Sequence, residues 1–337
     1  MTDTPRPDSN PQLEWRDDRA TADFKRIGSE ILATDGINTW VNQGFAWMVG
    51  GFSWLTVLLL GWIGWVIFEK AQPAIQAFGW GFLTSQAWNI NDLKFGALPY
   101  IYGTLVTSAI ALMLAIPVGL AVALVTSENF LPFWVRSPLA FVVELIAAIP
   151  SVIIGLWGIF VLIPFMQPIQ LWLYRNLGQF PLFSTEPAGP GMLVAGVILA
   201  IMVLPTIAAI SREVLLAIPA DLRTASVSLG ATRWETICRI LLPTAVSGIL
   251  GAAILGLGRA LGETMAVTMV IGNSAQISPS LLNLGYTIPA VLANEFAEAL
   301  DDLHIGALMY LALILFALTL TVNVVAVLMV RVLNNGR

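Results

Sequence analysis

The sequence predicts an all-α, polytopic membrane protein with six transmembrane helices. Composition is the first reason. Of 337 residues, 57% are hydrophobic and only 11% charged, against about one-quarter charged in a soluble domain. The second is that apolar residues come in continuous runs instead of alternating, which selects helices over a barrel. The third is run length: a helix needs roughly 20 apolar residues to cross a bilayer, and six runs reach it. A single cysteine, Cys238, excludes an internal disulfide framework. A single histidine, His304, argues against a histidine-based metal site.

In chain order, residues 1–44 form a polar tail in which Asp3, Asp8, Asp17 and Asp18 mix with Arg6, Arg16 and Arg19. The tail lacks the short basic start and apolar core of a signal peptide. The first apolar run, from near Phe45, is therefore expected to act as an uncleaved insertion signal. Residues 1–20 are expected to be disordered. Phe24, Ile27, Ile31 and Leu32 recur at helical spacing, as in a short surface helix.

The transmembrane domain covers residues 45–333. Spans are expected at 45–68, 99–125, 136–166, 190–212, 244–271 and 305–331, with polar and turn-forming segments between them. Pro117, Pro150, Pro164 and Pro205 fall inside spans, where neighbouring helices tolerate kinks. With the N-terminus inside, twelve Lys and Arg residues lie on the cytoplasmic side against Lys70, Lys94 and Arg175 outside. Both termini are therefore expected to be cytoplasmic. The outer segment 69–98 carries Phe78, Trp80, Phe82 and Trp88 and reads as an interfacial helix, compatible with docking of an extracytoplasmic partner. The last outer loop, 273–304, holds Glu295, Glu298, Asp301 and Asp302 without a Lys or Arg, and reads as a solvated acidic face.

Three ionisable residues fall inside spans. Arg259 and Glu263 stand four residues apart near the midpoint of the fifth, and Glu144 lies about two turns inside the third. A charge at that depth costs a few kcal/mol and marks a candidate pathway residue. Arg259 suits a passing oxyanion, since its planar fork matches such oxygens and stays charged when buried. On one continuous helix Glu263 would share its face and hold or neutralise it. Glu144 is expected to pair with Arg259 or another charge, or to line the inner vestibule. Gly258 and Gly262, flanked by Gly248, Gly251 and Gly256, allow close helix approach, around a central cleft or against a second subunit.

The third inner loop, Arg212 to Pro243, is too polar to span and too patterned to be a linker. Pro219 suits a first helical turn, and Leu222, Ala225, Ser226 and Leu229 fall on one face. Gly230 is placed to end that helix. Thr232-Arg233-Trp234-Glu235 reads as a capping box opening the next, whose apolar stripe is Trp234, Ile237 and Leu241. Two short helices with a sharp bend, residues 219–243, make a handle for a cytoplasmic partner.

This loop resembles a known motif. TASVSLGATRWETICRILLP, Thr224 to Pro243, is similar to the coupling motif of ABC importer permeases, which begins Glu-Ala-Ala, continues to a Gly and ends Ile-x-Leu-Pro. Ala225, Gly230, Ile240, Leu242 and Pro243 match it, while Thr224 replaces the Glu and Ser226 the second Ala. A Glu-mediated salt bridge to an ATPase is therefore not carried over. Phe95–Ser108, Glu144–Leu162, Ala293–Ala299 and the GRALGETMAVT run at 258–268 resemble PstC-type permeases of phosphate-specific ABC importers, and the likeness spans residues 45–333.

The resemblance implies a type I ABC importer permease fold and a subunit that forms half of a phosphate translocation pathway. It implies a second permease of the PstA type, cytoplasmic ATPase subunits and an extracytoplasmic phosphate-binding protein as partners, all at a bacterial cytoplasmic membrane. No cofactor is expected in this chain. None of its three lysines, Lys25, Lys70 and Lys94, follows a Gly in a phosphate-binding loop, so ATP and Mg belong to the partner ATPase. Neither a catalytic cluster, a metal site nor nucleic-acid binding is expected. Permeases for sulfate or molybdate share the general layout. An ion-coupled secondary transporter would instead call for internal repeats and midplane carboxylates.

Overall fold

The structure, a computed structural model, describes the backbone of residues 18–128 and 130–335. Of residues 1–20, expected to be disordered, 1–17 lie outside the described residues and 18–20 begin a helix. The chain divides into two units, residues 1–63 and 64–337. In the first, the described residues are helical throughout: α1 (Asp18–Phe78) takes in Phe24, Ile27, Ile31 and Leu32 without a break before the apolar run. Among the described residues, six helices are long and apolar enough to cross a membrane, the number expected. They are the Trp40–Phe78 part of α1, α2 (Leu98–Ser127), α4 (Ser151–Leu177), α5 (Met192–Leu216), α7 (Arg233–Leu261) and the Asp302–Arg331 part of α10 (Asp302–Asn335).

Within the second unit α2 and α5 form the centre. On α2, Gly103, Thr107, Ala111, Ala115, Gly119 and Ala123 recur every fourth residue, and all are buried. Such a row of small side chains lets two backbones approach closely, which drives helix association where lipid is as apolar as the protein. A Cβ on Gly119 would press on Ile207, and one on Gly196 would run into Ile110. Val194, Ile198, Leu199, Val203 and Ile207 of α5 fill the core against these rows. Met113 and Val118 of α2 point outward, as lipid-facing residues do.

Prolines decide where the remaining spans bend or break. The third span was expected at 136–166. Instead α3 (Phe133–Ala147) ends before Pro150, and the membrane-crossing helix runs from Ser151 to Leu177. A proline lacks the N–H that a helix needs and disfavours helical geometry in the residue before it. Glu144 therefore belongs to a separate helix. Pro164 and Pro243 do not break their helices, because a π-helical turn precedes each, at Gly158–Leu162 and Ile237–Leu241. The wider turn accommodates the ring and the missing donor.

The fifth span also differs from the expected 244–271. Helix α7 stops at Leu261, Gly262–Thr264 leave helical geometry, and a short α8 (Met265–Val270) follows. In the segment 273–304, Glu298, Asp301 and Asp302 are exposed as expected, but the residues before them are not a plain solvated loop. After α8 the chain folds back: Gly191, Met192 and Leu193 at the start of α5 donate their N–H groups to the carbonyls of Val270, Asn283 and Leu281 at 3.0, 3.0 and 2.8 Å. These are donors that a helix start leaves without internal partners. Tyr286 and Thr287 are buried, as are Ile288–Val291 of α9 (Ile288–Glu295).

The outer aromatics likewise pack inward. Phe82 stacks on Tyr310 at 4.6 Å, Trp88 meets Tyr100 edge-on at 4.8 Å, and Phe95 stacks on His304 at 5.2 Å. Trp80 alone of the four named aromatics has the large exposure of an interfacial anchor, 83%. Glu295, expected to face solvent, accepts hydrogen bonds from Trp88 Nε1 (2.9 Å) and His304 Nε2 (3.2 Å). A Trp–Glu–His contact thus joins three segments at this end of the fold.

Candidate functional site

Arg259 lies in the last turn of α7 and is exposed on the surface of this chain. Its Nη1 donates to the Thr206 hydroxyl of α5 at 3.4 Å. Thr206 follows Pro205, which removes a backbone donor in mid-span. Glu263 is not the partner expected for Arg259. It sits in the break beyond Leu261, where its Oε1 accepts from the Ala266 N–H at 3.4 Å and caps the start of α8. The two residues do not share a continuous helix face, and among the described residues no ion pair joins them. Four-residue spacing was the right geometry for a helix that Gly262 ends.

The glycines around Arg259 sort into two faces. A Cβ on Gly248 would meet Val214, and one on Gly256 would meet Val203 and Ile207, so these two carry the packing against α5. Gly251 and Gly258 have no atom within 4 Å of such a Cβ. Leu255 between them is 59% exposed. Arg259 therefore borders a face of α7 that this chain leaves open.

Glu144 does not reach Arg259. It pairs with Arg212 of α5 at 3.8 Å, and the buried Arg212 Nε has no protein partner. Helix α5 thus carries both contacts, Thr206 to Arg259 and Arg212 to Glu144, six residues or about 9 Å apart along its axis. Sequence reasoning missed Thr206 and treated Arg212 as a loop charge. A hydroxyl next to a mid-span proline was the available signal.

The loop at 219–243 folds as its punctuation predicts. Helix α6 (Ala220–Ser228) ends at Gly230, whose φ is +86°. Ala231 N–H donates to Ser226 O (3.2 Å) and Gly230 N–H to Val227 O (2.9 Å), the two bonds of a Schellman ending. Thr232 and Glu235 close the capping box: Thr232 N–H donates to Glu235 Oε2 at 2.9 Å and Glu235 N–H to Thr232 Oγ1 at 3.3 Å. Ile237 and Leu241 are buried with Leu215, Ile218, Ala123 and Ala245.

The expected faces of this element are partly reversed. Trp234 is 63% and Leu229 89% exposed. Ser226 turns inward, and its hydroxyl lies 2.9 Å from that of Thr236, joining the two arms. Thr224 and Ala225 are exposed, while Ile240, Leu242 and Pro243 are half-buried where the element enters the membrane helix. Among the described residues, no group of three or more His, Cys, Asp or Glu side chains is placed to hold a metal ion.

Residues 115–337 match the family described as the binding-protein-dependent transport system inner membrane component. The chain belongs to that family. Its relatives within this permease family include the phosphate transport system permease protein PstC of Xylella fastidiosa, 47% identical over 77% of this chain and 81% of the relative. The PstC of Mesorhizobium japonicum is 44% identical over 81% and 84%, and that of Haemophilus influenzae 40% over 87% and 94%. Among solved structures, the inward-facing MetNI methionine ABC transporter superposes with a TM-score of 0.50 over 71% of this chain and 94% of its own, at 20% identity. That likeness concerns the fold, which is the type I importer permease fold expected.

Proposed function

We propose that this permease is one membrane-spanning subunit of an ATP-driven importer of inorganic phosphate. The observation that carries the reading is its 40–47% identity to PstC permeases over most of the chain. The position of Arg259 on an open face of a span supports it. In this reading Arg259 lends its guanidinium to the oxyanion in transit. The contact is weak by design, since the ion must leave again. Thr206 orients the guanidinium, Glu263 shapes the helix break beside it, and Glu144 with Arg212 lines the inner part of the path.

A second permease covers the open face of α7, where Gly251 and Gly258 admit close approach. The element at 219–243 docks on a cytoplasmic ATPase that supplies ATP hydrolysis and its Mg, because the 337 residues contain no phosphate-binding loop. Thr224, Ala225 and Gly230 lie at the docking end, and Ile240, Leu242 and Pro243 lead into the span. An extracytoplasmic binding protein delivers the phosphate. The protein sits in a bacterial cytoplasmic membrane with both termini inside, as the asymmetry of its Lys and Arg residues favours.

The test is uptake by the assembled complex in proteoliposomes, with phosphate, sulfate and molybdate offered in parallel. ATP-dependent accumulation of phosphate alone is expected. Sulfate or molybdate uptake without phosphate uptake would overturn the substrate assignment.

A further inference from the structure

We infer that Arg223 is a positioning residue that ties the coupling element to both central spans, so that a displacement of α6 moves the ends of α2 and α5 together. The inference rests on the importer reading above. Three groups converge on the Arg223 guanidinium. One oxygen of Glu128 accepts from Nε at 3.3 Å and from Nη2 at 3.0 Å. The carbonyl of Ile218 accepts from Nη1, and that of Leu215 from Nη2, both at 2.7 Å. Glu128 ends α2, Leu215 lies in the last turn of α5, and Ile218 follows just beyond it.

The chemistry suits arginine in particular. A helix leaves its last carbonyls without internal partners, and its C-terminal end favours a cation. Arg223 supplies both the donors and the charge to α5. It also neutralises Glu128, an anion that would otherwise sit at the unfavourable end of α2. Only a planar fork with several fixed donors reaches a carboxylate and two carbonyls at once. Both side chains are mostly withdrawn from solvent, 25% exposed for Arg223 and 18% for Glu128.

The position makes this contact mechanical as well as structural. Leu222, Val227 and Leu229 of the same short helix are exposed, as a docking surface requires. Among the described residues, the polar side-chain bonds that leave α6 are those of Arg223 and the Ser226–Thr236 contact, which stays within the element. Beyond Arg223, α5 continues to Thr206, which holds Arg259. Leu215 and Thr206 are nine residues, or about 13 Å, apart along one helix. A push on α6 therefore reaches the pathway arginine through a single rigid element.

The experiment compares wild type, Arg223→Gln, Arg223→Lys and Glu128→Gln in the complete importer in proteoliposomes, reading phosphate imported per ATP hydrolysed in complexes of verified stoichiometry. Arg223→Gln is expected to keep ATP hydrolysis yet lower that ratio by about tenfold, the upper range for loss of one coupling contact. Arg223→Lys recovers little, because a point charge cannot reach all three acceptors. Glu128→Gln, which spares the bonds to α5, gives a smaller fall. An unchanged ratio in assembled Arg223→Gln overturns the inference. Should Arg223→Gln fail to assemble, an unchanged ratio in Glu128→Gln overturns it equally. A wild-type complex that hydrolyses ATP but takes up no phosphate defeats the substrate reading, and this inference with it. Uptake by wild type with an unaltered variant ratio defeats this inference alone.

Discussion

Arg259 is held loosely, by one long hydrogen bond to Thr206, on a face of α7 that the chain itself does not cover. On the reading proposed above, a guanidinium that meets and releases an anion keeps most of its donors uncommitted, and among the described residues the one hydrogen bond of Arg259 leaves them so. Arg259→Gln is expected to leave the complex assembled while phosphate uptake falls by about two orders of magnitude, since charge-assisted contacts are worth up to ~3 kcal/mol. Arg259→Lys recovers a minor part if bidentate geometry matters. Glu263→Gln should do less. Its carboxylate caps α8, and a neutral amide oxygen still accepts from Ala266 N–H, so the expected cost is under ~1 kcal/mol. Equal loss of uptake in the two single variants would show that the residues act as a pair after all. Both charges were legible in the sequence as midspan residues. Their separation was not, because it depends on Gly262 ending the helix between them.

At the scale of elements, the bent helix pair at 219–243 is specified by punctuation. A glycine in the left-handed region ends α6, and a reciprocal cap begins α7. A Cβ at Gly230 would meet nothing within 4 Å, so the constraint is its φ of +86° and not space. Gly230→Asn should therefore keep most uptake, whereas Gly230→Val should strain the bend by about 1–2 kcal/mol and sharply reduce uptake and ATPase co-purification. Equal behaviour of the two variants would sink the conformational argument. Elsewhere contact decides. Gly103 abuts the backbone of Tyr286, where no side chain can rotate away. Gly103→Val is expected to cost a few kcal/mol through overpacking, read as loss of folded protein in detergent thermal melts. The row to which Gly103 belongs was not singled out from the sequence, and the segment it touches is set by the fold.

For the whole molecule, the charge asymmetry predicts the orientation that the hairpin requires. In a Cys238→Ser background, which removes the exposed native thiol, Asp301→Cys should react with an impermeant reagent from outside intact cells. Leu229→Cys, at an 89% exposed position, should react only after the inner face is opened. Labelling of position 229 from outside would reverse the topology and remove the docking role of residues 219–243 with it. The end of the molecule away from residues 219–243 is held by contacts between distant segments. The folded-back segment after α8 holds the start of α5 by its carbonyls, and the part-buried Trp88–Glu295–His304 contact packs beside Phe95 and Tyr100.

The sequence by itself determined the class of the molecule, its six crossings and the bend at 219–243. Each follows from local physics: the length of an apolar run, the cost of a charge in lipid, the φ that only glycine adopts cheaply. Composition could not say which way a side chain turns once helices pack. Ser226 reads on one face with Leu222 and Leu229, yet it is buried on Thr236 while they are exposed. Glu144 lay in an apolar run and belongs to a separate helix paired with Arg212. Phe78, Phe82 and Trp88 read as interfacial and pack in a core, while Trp80 stays exposed. Those outcomes depend on packing between elements: Thr236 lies across the bend from Ser226, Arg212 lies on another helix from Glu144, and Glu295 and Tyr310 come from distant segments to meet Trp88 and Phe82. Only the tertiary structure, by placing α5 against α2, α3 and α7 at once, brings Thr206, Arg212 and the carbonyls at the end of α5 to the charges they hold.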